Sequence, residues 1–112
     1  MGRQRKRTSP DDVIRTLLER VPELFRVHKV ILFGSRAAGN AGPESDYDFL
    51  IVAETALRPA ERAAVVYRAL RDIFAPMDIL VVTPEEFRSR STWKGTVIHS
   101  AAERGRVLYD AA

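Results

Sequence analysis

The sequence predicts a small α/β domain, with a mixed sheet and helices packed on it, because strand-like and helical segments alternate along the chain. Unbroken apolar runs at residues 30–33 and 49–52, and an almost unbroken one at 77–82, are typical of strands buried on both faces. Between them, apolar residues recur at helical spacing. At 112 residues the chain has room for one hydrophobic core, so we expect a single domain.

The ends of the predicted helices carry local signals. Ser9 and Pro10, followed by acids, are typical of a helix start, and Gly39 should end a single turn. Thr83 with Glu86 forms a capping box. In chain order the predicted segments are helix 10–22, strand 30–33, helical turn 35–38, strand 46–52, helix 58–74, strand 77–82, helix 84–90, helix 93–104 and strand 106–109.

The positive charge of the chain is concentrated at its start. The net charge is +3, from 18 Lys and Arg against 15 Asp and Glu. Arg3, Arg5, Lys6 and Arg7 contribute four of those positive charges. We therefore expect residues 1–9 to form a basic, disordered tail and residues 10–112 to form the folded domain. Such a tail could bind nucleic acid or an acidic partner, although a solvated terminus is the ordinary interpretation.

Composition excludes several kinds of site and location. The chain has no cysteine, which excludes disulfides, thiolate zinc sites and cysteine nucleophiles. No apolar run is long enough to span a membrane, and the basic start lacks the apolar segment of a secretory signal. The sequence therefore predicts a cytoplasmic protein with no membrane partner.

Acidic residues at two strand starts are the main candidates for chemistry. Asp46 and Asp48 are two residues apart at the start of one strand, so alternation puts both on the same face. Asp78 is the only charge in the next strand-like run and is costly to bury unpaired. If the two strands are neighbours, all three carboxylates can face one pocket, where a divalent metal would relieve their repulsion.

The turn after the first strand is the candidate phosphate site. Gly34 has no Cβ, so its backbone can approach a phosphate closely and adopt a φ that other residues avoid. Ser35 could donate its hydroxyl to a phosphate oxygen or simply cap the turn. Arg36 could contact phosphate or be an ordinary surface charge.

Taken together, these residues resemble the DNA polymerase β nucleotidyltransferase superfamily and, within it, the minimal nucleotidyltransferase (MNT) family. The resemblance covers roughly residues 10–110 and lies in the stretches LFGSRAAG, SDYDFLIV, MDILVV and RGRVLYD. It implies that Asp46 and Asp48 bind two Mg²⁺ ions. It further implies that Asp78 completes one metal site and serves as the base that activates the attacking hydroxyl.

The resemblance also implies the nucleotide and the residues that bind it. The substrate would be ATP or another NTP, with Gly34, Ser35 and Arg36 at its phosphates. Many relatives carry a second basic residue two places after the arginine of this turn, whereas here Ala37 and Ala38 follow it. Arg36 is therefore the only local cation for the triphosphate.

The family implies a biological role as well. Many of its small members resemble antitoxins of HEPN-type ribonuclease toxins, and some transfer AMP from ATP to a tyrosine of the toxin. Two other interpretations remain open. One is a non-catalytic antitoxin that binds its partner and retains a vestigial nucleotide site. The other is a transferase acting on a small molecule or an RNA end, for which a homodimer could supply acceptor recognition. Nucleic acid is not the favoured partner.

Overall fold

The computed structural model describes residues 6–112, and its helices and strands alternate as the sequence predicts. The elements are α1 (Pro10–Leu24), β1 (Arg26–Phe33), α2 (Ser35–Ala38), β2 (Tyr47–Glu54), α3 (Pro59–Ala69), β3 (Met77–Val82), α4 (Pro84–Arg90), α5 (Val97–Arg104) and β4 (Arg106–Asp110). The predicted α/β class is confirmed.

The strands form one mixed sheet in the order β3-β2-β1-β4. β1 pairs antiparallel with β2 on one side and with β4 on the other. β2 and β3 are parallel, and α3 is the crossover between them. The start of β2, the start of β3 and the end of β1 therefore lie at the same end of the sheet.

Helices cover both faces of the sheet, and the side chains of β2 point alternately to one face and the other. Phe49 and Ile51 are fully buried on the face covered by α1 and α3. Leu50 is fully buried on the opposite face, where Ile98 of α5 packs against it. This alternation assigns even-numbered residues of β2 to the α4/α5 face, which matters for the acids below.

Three boundaries differ from the sequence prediction by four residues or more. β1 begins earlier, at Arg26, because its first residues pair with the end of β2. α3 ends at Ala69, and the chain then turns, so the remaining apolar residues of the predicted helix pack from a turn. α5 begins only at Val97, because Thr96 caps it by accepting the His99 N–H at 3.1 Å.

Residues just before α1 are attached to the domain. The Thr8 N–H donates to the Phe74 carbonyl at 2.9 Å, and the Phe74 N–H donates back to the Thr8 hydroxyl at 2.9 Å. Arg7 forms an ion pair with Glu44. Arg3 and Arg5 lie outside the described residues, so the disordered tail remains a prediction for that part of the chain.

Within residues 6–112, none of the helices combines the length and the apolar character that crossing a bilayer requires.

Candidate active site

Two of the three candidate acids are direct neighbours in the sheet. Asp48 on β2 is the register partner of Asp78 on β3. Side chains of register partners in neighbouring strands project from the same face. That face is the α4/α5 side, because Leu50 and Val52 continue the alternation from Asp48. The strand pairing on which the sequence argument was conditional is therefore present.

The third acid lies just outside the strand. Asp46 is the residue before the start of β2 and is exposed, as Asp78 is, whereas Asp48 is half-buried. Among the described residues, none of these three carboxylates accepts a hydrogen bond or forms an ion pair. The site therefore collects negative charge that the surrounding protein does not neutralise.

Burial and the clustering of the acids change the pKa of Asp48. Burial raises the pKa of the Asp48 carboxyl above its ordinary value, and the neighbouring charges of Asp78 and Asp46 raise it further. The acids thus lie within electrostatic reach of one another. They are not held as a ready-made ligand set, since residues 6–112 contain no group of three or more acidic or histidine side chains arranged to hold a metal ion. The three-acid metal site remains a prediction.

The Gly34 turn adjoins the acids more closely than the sequence indicated. Gly34 has φ +75°, a left-handed conformation that side chains disfavour. A Cβ at this position would also collide with the Asp48 carboxylate. The preceding residue, Phe33, is the register partner of Asp48. The backbone conformation requires glycine here, and its close approach to the Asp48 carboxylate makes the turn and the acid one site.

The two residues after Gly34 differ in the side-chain contacts that they make. Ser35 begins the four-residue α2, whose N-cap is Gly34, and the Ser35 hydroxyl forms no hydrogen bond among the described residues. Arg36 is engaged elsewhere. Its guanidinium lies 3.9 Å from the centre of the Tyr47 ring, and its Nε donates to the Ser45 carbonyl at 3.0 Å. These contacts of Arg36 thus stabilise the loop before β2.

Sequence reasoning missed two residues at this site. Ser100 and Arg104, both on α5, line a cleft of about 340 Å³ together with Gly34 and Ser35. They are 65 or more positions from the turn in the chain and share no motif with it. Only the packing of α5 on β1 brings them there, so no spacing signal could have found them.

The largest cleft lies at the other end of the sheet. It has a volume of about 640 Å³, and its lining includes Arg26, Lys29 and Asp110. Two of the cations that line it have acidic partners, because Arg26 lies 3.3 Å from Glu54 and Lys29 lies 3.7 Å from Asp110. None of the three acids lines either cleft, but the smaller cleft includes Gly34, which adjoins the Asp48 carboxylate, so the size of the larger one does not make it the better candidate for the active site.

Comparison with known proteins identifies the class. A family model for the nucleotidyltransferase domain matches residues 14–108, and this chain belongs to that family. No curated protein matches the sequence.

Solved structures with the same fold include a nucleotidyltransferase-like protein and toxin–antitoxin structures. The chain has a TM-score of 0.60 and 23% identity to a proposed nucleotidyltransferase from Sulfolobus solfataricus, covering 98% of this chain and 94% of that one. A toxin–antitoxin structure with AMP-PNP gives a TM-score of 0.54 at 19% identity, covering 92% and 74% of the two chains. A mutant of the toxin–antitoxin pair MntA–HpeT gives 0.52 at 17% identity, covering 93% and 74%. At these low sequence identities, the structural likeness shows a common fold alone.

Proposed function

We propose that this chain transfers a nucleoside monophosphate, AMP from ATP, to a hydroxyl group of a partner protein. The observation that carries the proposal is the Asp48–Asp78 pair, which lies in register beside the Gly34–Ser35 turn. Carboxylates gathered without neutralising partners next to an open turn suit a metal-bound polyphosphate. Such carboxylates would not stabilise the fold, because like charges placed side by side repel.

The donor set suits Mg²⁺. Carboxylate oxygens are the ligands this hard cation prefers, and two ions are proposed to be shared among Asp46, Asp48 and Asp78. Burial and the neighbouring acids raise the Asp48 pKa, so a cation at this point would relieve an existing repulsion. When bound, Mg²⁺ would offset phosphate charge and lower the pKa of an attacking hydroxyl.

The chain's own residues would bind the nucleotide and accept a proton. Gly34 permits close approach of the backbone, and the Ser35 hydroxyl is free to donate to a phosphate oxygen. Arg36, the third proposed nucleotide contact, would have to leave the Ser45 carbonyl to reach it. The acceptor oxygen then bonds to the α-phosphorus as the bond to the bridging oxygen of the β-phosphate breaks. Pyrophosphate leaves, and Asp78 accepts the hydroxyl proton.

The proposed acceptor is a HEPN-type toxin, for which this chain would be the cytoplasmic antitoxin. Two findings support a toxin partner. The family is that of the nucleotidyltransferases, and the same fold occurs in solved toxin–antitoxin structures. The sequence resemblance to small antitoxin transferases points in the same direction.

Intact mass spectrometry tests this function directly. The full chain is incubated with Mg²⁺, each of the four NTPs and the product of the adjacent gene, and the mass of each chain is measured. We expect the partner to gain one nucleoside monophosphate, and the Asp46→Asn variant to transfer none. Asp46 is exposed and forms no hydrogen bond or ion pair among the described residues, so this variant should unfold at the temperature of the wild type or slightly above it.

The other outcomes separate the alternatives. Tight partner binding with no mass change would indicate an antitoxin that acts by contact alone. Labelling of an RNA end or a small molecule, with the partner unchanged, would assign a different acceptor. Wild-type transfer by the Asp46→Asn variant would contradict the assignment of the acids.

A further inference from the structure

The cleft beside the Gly34–Ser35 turn has a second wall that comes from α5. Ser100 and Arg104 lie one helical turn apart on α5, so they present a hydroxyl and a guanidinium from the same helical face. The cleft they line with Gly34 and Ser35 measures about 340 Å³. Because α5 covers the face on which Asp48 and Asp78 lie, this wall and the acids belong to the same side of the sheet.

Tight packing fixes the end of α5 against the sheet. The Gly105 N–H donates to the Ala101 carbonyl at 2.9 Å and so closes the last turn of the helix. A Cβ on Gly105 would collide with the Ile31 side chain and with the Ala101 carbonyl. The chain then enters β4 at once, with Arg106 paired to Leu32. The backbone of Arg104 is therefore held next to the point where β1 leads into the turn.

Arg104 is also the cation of this cleft whose guanidinium is available to bind a ligand. Among the residues that the structure describes, Arg104 forms no ion pair and no hydrogen bond, and its side chain is exposed. Arg36 is engaged by the Tyr47 ring and the Ser45 carbonyl. Tyr47 packs on the α1/α3 face, which is the side of the sheet away from the acids. The turn thus lacks a free cation of its own, and α5 offers one.

We propose that Arg104, with the Ser100 hydroxyl beside it, binds the distal phosphates of the nucleoside triphosphate. This inference rests on the proposed nucleotidyl transfer and adds to it a residue that no motif in the turn specifies. A guanidinium can donate two parallel hydrogen bonds to phosphate oxygens, which makes arginine the side chain best suited to that contact. The contact is to the part of the nucleotide that leaves as pyrophosphate, so it favours triphosphates over monophosphates.

Equilibrium binding of nucleotides to the full chain tests this assignment. Each of the four NTPs and its monophosphate are titrated in Mg²⁺ into the wild type, Arg104→Gln, Arg104→Lys and Arg106→Gln. Arg106 is the matched control. It carries the same charge two positions away, and its register partner Leu32 belongs to the α1/α3 face.

The proposal predicts a different nucleotide affinity for each variant. For the NTP that the wild type binds most tightly, Arg104→Gln should weaken binding about tenfold or more, as expected for loss of a charge-assisted hydrogen bond. Arg104→Lys should be intermediate because it keeps the charge and loses the paired donors. Binding of the monophosphate should be unchanged in both variants, and Arg106→Gln should bind the triphosphate like the wild type.

Failure of the inference can be told apart from failure of the proposed function. If the wild type binds a triphosphate and Arg104→Gln binds it equally well, the role of Arg104 is wrong and nucleotidyl transfer stands. Equal weakening by Arg104→Gln and Arg106→Gln, or equal weakening for triphosphate and monophosphate, would also overturn the specific contact. If the wild type binds no nucleotide at all, both proposals are overturned. Thermal unfolding of each variant shows that the comparison is between folded proteins.

Discussion

Removing the charge of Asp48 should stabilise the protein while abolishing its activity. Asp48 is half-buried, and the structure gives its carboxylate neighbouring acids but no neutralising partner among the described residues. Asp48→Asn keeps the shape of the side chain and deletes the repulsion. A residue kept for stability would behave in the opposite way, so the sign of the effect separates a structural role from a functional one.

The size of the effect follows from the register of the two strands. Neighbouring strands lie about 4.8 Å apart, so we place the two charges about 5 Å apart. Unit charges at that separation repel by roughly 0.8 kcal/mol in water and by about 3 kcal/mol at an effective dielectric constant of 20. Because Asp78 is exposed, we expect the lower part of this range, about 1 kcal/mol in the free energy of unfolding at pH 7. For a domain of this size that corresponds to an increase in Tm of about 4 °C.

The pH dependence gives the same prediction a second readout. The folded-state pKa of Asp48 is raised, so the folded protein holds this proton more tightly than the unfolded chain does. The contribution of Asp48 to wild-type stability therefore falls as pH rises from the ordinary aspartate pKa, about 3.9, through the raised folded value. The Tm difference between Asp48→Asn and the wild type should be present at pH 7 and should close at pH values below that range.

Thermal unfolding without added metal or nucleotide measures this effect, and Asp12→Asn is the matched control. Asp12 carries the same charge, but a hydrogen bond from Arg15 lowers its pKa. Its substitution should therefore leave the Tm unchanged or lower it. If Asp48→Asn fails to raise the Tm at pH 7, the Asp48 carboxylate has a stabilising partner in the native protein, and the electrostatic reasoning is refuted.

Three further predictions address the turn, the metal and the buried arginine. Gly34→Ala should destabilise the protein by roughly 2 kcal/mol or more in chemical denaturation, because φ +75° with ψ −158° is a conformation that essentially only glycine adopts and a Cβ there would also displace the Asp48 carboxylate. Gly39→Ala, in the ordinary left-handed region at φ +83° and ψ 7° with open space around it, should lose only about 1 kcal/mol. Equal losses of stability would mean that neither the backbone conformation of Gly34 nor its contact with Asp48 adds to the cost. Millimolar Mg²⁺ should raise the Tm of the wild type and not that of Asp48→Asn, since an ion that binds only the folded state stabilises it by mass action, and an equal rise in both would place the ion elsewhere. Arg62→Met should cost about 2 kcal/mol in urea denaturation, because Arg62 is 7% exposed and bonds Glu86 at 2.7 Å, and a neutral outcome would mean that this ion pair contributes no net stability.

The local elements and much of the site could be predicted from the sequence, because the signals that specify them are local. The capping box at Thr83 and the helix start at Ser9 are present as predicted, since caps depend on residues three positions apart. Asp48 and Asp78 lie at the same end of the sheet because two apolar strands separated by a helix form a parallel pair. The element ends were less predictable. Apolar spacing continues into turns that pack on the same core, as it does after Ala69.

The sequence by itself determined the α/β class, the acids at the strand starts and the need for a glycine after β1. Tertiary structure alone decided what lies around them. In the folded protein Asp48 lies against Gly34, and Arg36 packs on the Tyr47 ring. Arg104 lines the cleft beside the Gly34–Ser35 turn. The physical reason is the range of the interactions. Periodicity and capping act over a few residues, whereas a site between elements depends on which faces pack together, and that is settled only when the whole core forms.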